Sequence, residues 1–98
     1  MNINKELNGK TLTLAIEGRL DTMTAPELEK ELNQDLGTAE NLTMDFSKLD
    51  YISSAGLRVL LSAHKAMSGK GGMKITNVNE IVQEVFEVTG FADILTIE

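Results

Sequence analysis

Residues 50–58 read Asp-Tyr-Ile-Ser-Ser-Ala-Gly-Leu-Arg, and they set the hydroxyls of Ser53 and Ser54 where an apolar strand gives way to a helical stripe. A hydroxyl in that position can cap the helix, accept a phosphoryl group or act as a nucleophile. The last role needs an activating base within hydrogen-bond reach. The single histidine, His64, falls on the same predicted helix, about ten residues on and about 15 Å away by helical rise. A hydrolytic or nucleotide-processing role for Ser54 therefore lacks its base. A capping serine contributes about 1 kcal/mol. A phosphoserine adds roughly −1.5 to −2 charges, and unpaired N–H groups and the helix dipole favour negative charge at a helix start. One residue can serve both ends, and both readings stand for Ser54.

Other polar residues fall at comparable junctions. Asp21 follows Gly18-Arg19-Leu20, and Asn77 and Asn79 follow the short apolar run Met73–Thr76. Asp21 reads either as an organiser of the helix that follows or as a member of a site. With no cysteine and one histidine, disulfides, thiolate metal sites and histidine clusters are ruled out, and no cofactor or metal is expected. The "SGKGGMK" stretch lacks the spacing of a phosphate-binding loop and reads as a turn. A net charge of −6 is the wrong sign for neutralising phosphates, so nucleic acid is not an expected partner. No apolar run approaches the roughly 18 residues of a spanning helix, and "MNINKELNGK" has no signal-peptide pattern. The chain is expected to be cytoplasmic, without membrane insertion.

These residues need elements to position them. Leu12, Leu14 and Ile16 alternate with Thr11, Thr13, Ala15 and Glu17, the period of a strand with one covered face. Asn8-Gly9 before it predicts a hairpin with the weaker strand "NINKEL". Leu28, Leu32 and Leu36 then recur at helical spacing, with Thr24 and Glu27 fitting a capping box, Pro26 in the first turn and Gly37 closing the helix. Leu42, Met44 and Phe46 predict a third strand, followed by the loop "SKLDYISSAG". A helix from about Ala55 carries Leu57, Leu60, Leu61, His64 and Met67. "MKIT" is a short strand. Asn79 caps a helix with Ile81, Val82, Val85, Phe86 and Val88 on one apolar face, Gly90 ends it, and "DILTI" is a final strand.

The order ββαβαβαβ over a single domain, residues 1–98, makes this an α/β protein. Its sheet is mostly parallel, with an antiparallel N-terminal strand. Strands covered on both faces read as unbroken apolar runs. These alternate, so the helices are expected on one face, leaving threonines, Glu17, Asp45 and Lys74 on the other. Ligand sites gather at the carboxyl ends of parallel strands, which places Asp21, the Ser53-Ser54 pair and Asn77 or Asn79 along one edge.

"GRLDTMTAPEL", "LTMDFSKLDYISSAGLRVLL" and "EVFEVTGFADIL" resemble, in order and spacing, the STAS domain of bacterial anti-sigma factor antagonists, over nearly the whole chain. The resemblance implies a one-sided βα superhelical array and a protein-binding switch rather than an enzyme. In such antagonists a serine just ahead of the glycine-leucine opening the second helix is phosphorylated by an anti-sigma factor with serine kinase activity. The phosphorylated form no longer holds that kinase, and a metal-dependent serine phosphatase restores it. Carried onto this chain, the acceptor is Ser54, with Ser53, where many relatives have aspartate, as the alternative. Gly18, Leu20 and Asp21 match the family's Gly-x-Leu-Asp turn. The partner surface is expected to include Asp21, Ser53, Ser54, Gly56, Leu57 and Arg58, on a protein that is a monomer when free. The chain stops at Glu98 without the terminal helix of many relatives, which predicts a more exposed sheet end. A second reading keeps the fold and makes the domain an adaptor in an ABC-type lipid transport complex, with Ser54 as a cap or contact residue.

Overall fold

Alternation in the first twenty residues produces two antiparallel strands, β1 (Asn2–Asn8) and β2 (Thr11–Leu20), joined tightly with Asn8 opposite Thr11. Gly9 makes that turn at φ 61°. The computed structural model describes residues 1–98. After β2 come α1 (Ala25–Asp35), β3 (Asn41–Ile52), α2 (Ser54–Met67), β4 (Met73–Thr76), α3 (Glu80–Thr89), a 3-10 turn (Phe91–Asp93) and β5 (Thr96–Ile97). The strands lie side by side in chain order, and every pair after the first is parallel.

Leu12, Leu14 and Ile16 of β2 and Leu42, Met44 and Phe46 of β3 form the floor of the core. Leu28 and Leu32 from α1, Leu60 and Met67 from α2, and Val82 and Phe86 from α3 cover it. On the opposite face Thr13, Glu17, Thr43 and Asp45 stay half-buried. Helices therefore cover one side of the sheet, as the alternation requires. Asn4 donates to Glu17 there at 3.1 Å and Asn77 donates to Asp45 at 3.1 Å. No helix is long and apolar enough to cross a membrane.

The strands beside the Ser53-Ser54 pair run further than the alternation predicts. "SKLDYI", expected as loop, is the second half of β3. Two register shifts explain why periodicity misses it. From Ala15 opposite Asp45 to Glu17 opposite Lys48, β3 advances three residues for two of β2; from Gly18 opposite Leu49 to Arg19 opposite Tyr51 it advances two for one. Each extra residue is a bulge that flips the inward set, so the buried side chains become Phe46, Leu49 and Ile52. Gly18, at φ 99°, takes up the bend on β2.

Four local expectations are corrected. Thr24 does not form a capping box, because its hydroxyl donates backward to the Arg19 carbonyl at 2.8 Å. Gly37 does not close α1 in a left-handed turn; Leu36 stays right-handed. The Lys70 ammonium, from the turn after α2, instead donates to the carbonyls of Leu36 and Ala39 at 2.5 and 2.9 Å, supplying the cation a helix C-terminus favours. On α3 the apolar face is narrower than predicted, since Val82 and Phe86 are buried but Ile81 and Val88 point outward. "DILTI" is mostly turn, with only Thr96 and Ile97 in the sheet.

Candidate functional site

β2 and β3 end together, with Leu20 opposite Ile52 and the Ser53 N–H donating to the Leu20 carbonyl at 2.9 Å. The chain leaves the sheet twice at this rim, once into α1 and once into α2.

Only Ser53 separates β3 from α2. So abrupt a turn brings the first turn of the helix against the strand ends. A methyl group at Gly56 would lie 2.7 Å from Leu20 Cγ and 2.8 Å from Ile52 Cγ1, so glycine is what lets α2 sit there. Ser53 is the N-cap residue, extended at φ −103° and ψ 177°, and its carbonyl accepts from the Leu57 N–H at 3.0 Å. Its hydroxyl does not cap the helix. It is turned inward, away from solvent, and has no hydrogen-bond partner. The first-turn N–H groups, which have no partner within a helix, receive none from Ser53.

Ser54 is the first residue of α2 and is exposed. Arg58 is exposed one turn along the same face. Gly56 and Leu57, expected on the partner surface, are buried instead. They seat the helix that presents Ser54 and Arg58.

Asp21 organises the other exit. Its Oδ1 accepts from the Met23 N–H at 3.0 Å, the Thr24 N–H at 3.2 Å and the Thr24 hydroxyl at 3.2 Å. Its own N–H donates to the Thr24 hydroxyl at 2.9 Å. Desolvation works against its charge, but the bonds from Thr24 and Met23 and the nearby Arg19 outweigh it and hold the carboxyl below its ordinary range. Arg19 Nε lies 3.7 Å from Asp21 Oδ2, and the guanidinium sits 4.7 Å from the centre of the Tyr51 ring. Arg19 and Tyr51 belong to this rim although their spacing gives no sign of it. Only the cross-strand register, hidden by the bulges, pairs them.

Asn77 does not join the serines as predicted. β4 ends with Thr76 opposite Asp45, seven residues before Ile52, a gap of about 23 Å at strand rise. Asn77, at φ 60°, bonds Asp45 there. That amide, with the Ser47 N–H, holds the Asp45 carboxyl below its ordinary range against desolvation. Asn79 caps α3, accepting from the Val82 N–H at 2.8 Å, and donates to the Leu49 carbonyl at 2.8 Å. Both serve the fold. His64 lines an open cavity of about 440 Å³ with Thr11, Asn41 and Lys74, at the strand beginnings and away from Ser54.

This arrangement offers one exposed hydroxyl at an uncapped helix start, beside a hydrogen-bonded turn. Residues 2–98 match the model of the STAS domain. BtrV of Bordetella bronchiseptica, a candidate anti-sigma factor antagonist, is 36% identical over 88 residues, spanning 88% of this chain and 76% of that protein. The anti-sigma-B factor antagonist of Bacillus subtilis is 30% identical over 100 residues, spanning 99% and 92%. Among solved structures the fold is similar to that of Bacillus SpoIIAA. The phosphorylated form superimposes with a TM-score of 0.76 at 16% identity, over 99% of this chain and 91% of that one. The unphosphorylated form, described as an anti-sigma factor antagonist, gives 0.84 at 16% identity over 99% and 88%. The chain belongs to the STAS domain family, among the bacterial anti-sigma factor antagonists.

Proposed function

We propose that this protein is a phosphorylation-controlled binding switch with no catalysis of its own. Unphosphorylated, the rim around Ser54, Asp21 and Arg58 docks on an anti-sigma factor with serine kinase activity, and the sigma factor that kinase had held is released. The kinase transfers the γ-phosphoryl group of ATP to Ser54 Oγ, and a serine phosphatase reverses the modification.

One observation carries the choice of residue. Of the two adjacent hydroxyls, Ser54 is exposed in the first turn of α2, whereas Ser53 Oγ is out of reach of solvent. The uncapped N–H groups behind Ser54 can donate to the phosphate oxygens in the modified state. A partner covering that phosphate would have to desolvate it. A loss of even ~3 kcal/mol there lowers affinity more than a hundredfold.

Incubation with the cognate anti-sigma kinase and ATP, followed by mass spectrometry of residues 50–62, tests the reading. Phosphate is expected on Ser54. Ser54→Ala should take none and stay bound to the kinase. Phosphate on Ser62, or nowhere, rejects the assignment, and recovery of transporter subunits in place of a kinase favours the adaptor.

A further inference from the structure

Met23 is 83% exposed, while Met44 and Met67 are fully buried and Met73 nearly so. It stands at the tip of the β2–α1 turn, between exposed Thr22 and half-buried Thr24. A thioether side chain left in water loses the burial that stabilises other methionines, and nothing in the fold requires it there.

Its backbone is nevertheless held firmly. The Met23 N–H donates to Asp21 Oδ1 at 3.0 Å, and Thr24 ties the same turn to Arg19 and Asp21 through its hydroxyl. The turn starts at Leu20, opposite Ile52, so it leaves the sheet beside the exit that carries Ser54, from strand ends about 4.8 Å apart. A flexible apolar side chain on a fixed backbone, next to a group another protein must approach, has the features of an interface anchor. Methionine fills irregular apolar pockets well, and a pre-ordered turn lowers the entropy lost on binding.

We propose that Met23 is the apolar anchor of this docking surface, inserting into an apolar pocket of the anti-sigma kinase beside the cleft that receives Ser54. This rests on the switch reading above. A second copy of this chain is the weaker occupant, because two molecules each of charge −6 repel one another. The anchor also separates two tasks on one rim: Met23 supplies affinity, and Ser54 sets whether that affinity can be used.

The test measures binding of the full chain to the purified kinase by calorimetry, for wild type, Met23→Ala and Met23→Leu. Met23→Ala is expected to weaken binding roughly ten- to hundredfold. Its thermal midpoint should not change, since the side chain makes no core contact. Met23→Leu, similar in volume, should stay within about threefold of wild type. In protein labelled at the methionine methyls, the Met23 signal should shift when kinase is added and those of Met44, Met67 and Met73 should not. Wild-type affinity in Met23→Ala, or an unmoved Met23 methyl, overturns the anchor alone, provided wild type binds and is phosphorylated. A wild type that neither binds nor takes phosphate overturns the switch and the anchor together.

Discussion

The two exits from the sheet begin at paired residues, Leu20 and Ile52, yet they are built in opposite ways. The exit into α1 spends four residues, Asp21 to Thr24, and ties them to one another through a carboxylate and a hydroxyl. The exit into α2 uses one residue, whose hydroxyl is buried without a partner and whose helix starts uncapped. Hydrogen bonds saturate the first and fix its shape. Close packing around Gly56 fixes the second and leaves its polar groups open. A saturated turn is a platform, and an unsaturated helix start has donors to spare for an incoming anion.

Substitutions can break this contrast, and Gly56→Ala should have the largest effect. Its methyl group collides with Leu20 and Ile52, and overpacking of this kind costs typically ~1–3 kcal/mol. The better helix propensity of alanine returns up to ~1 kcal/mol of that. A net loss of about 1–2 kcal/mol is expected, seen as a lower urea midpoint with an unchanged slope. Asp21→Ala removes the acceptor for Met23 and Thr24 and should lower the thermal midpoint by roughly 5 °C. Because the same turn belongs to the docking rim and fixes Met23, kinase binding should weaken as well, measured by calorimetry on the variant.

Acid should act mainly through the carboxylates. Asp21 and Asp45 both have lowered pKa values in the folded protein. Their contribution is therefore fully present above the unfolded carboxylate range, ~3.9. It is lost as pH falls through the lower folded values, where the unfolded state binds more protons. Urea midpoints taken downward from neutral pH should hold until about pH 4 and then decline. Asp21→Asn should flatten part of that decline, and a curve identical to wild type would remove Asp21 from the account. The smallest effect sharpens the comparison most. Replacing a serine N-cap with alanine ordinarily costs about 1 kcal/mol. Ser53→Ala deletes a hydroxyl that caps nothing, so stability should be unchanged or higher by up to ~1 kcal/mol. A loss of the ordinary size would mean that Ser53 caps α2 after all.

Elements with regular periodicity were legible from the chain alone. Leu12, Leu14 and Ile16 declared a half-covered strand, and Asn79 and Gly90 bounded α3 where expected, Gly90 at φ 82°. The serines could be placed at a strand-to-helix junction because a change of period marks such a junction. The second half of β3 was not legible, since two bulges turn a spacing of two into a spacing of three at Phe46, Leu49 and Ile52. The candidate site was legible to the same degree. Asp21 and Ser54 stand in local patterns, but Arg19, Tyr51 and Met23 acquire meaning only from what lies across the strand ends.

By itself the sequence determined the order of elements, the single covered face of the sheet and the presence of hydroxyls at a helix start, because these follow from the spacing of neighbours along the chain. The tertiary structure decided which hydroxyl is free, that Asn77 belongs with Asp45 rather than Ser54, and that Ile81, Val88 and Met23 stay outside the core. Periodicity reports which side of an element is apolar. Whether another element arrives to cover that side depends on strand lengths and register, which distant parts of the chain set together.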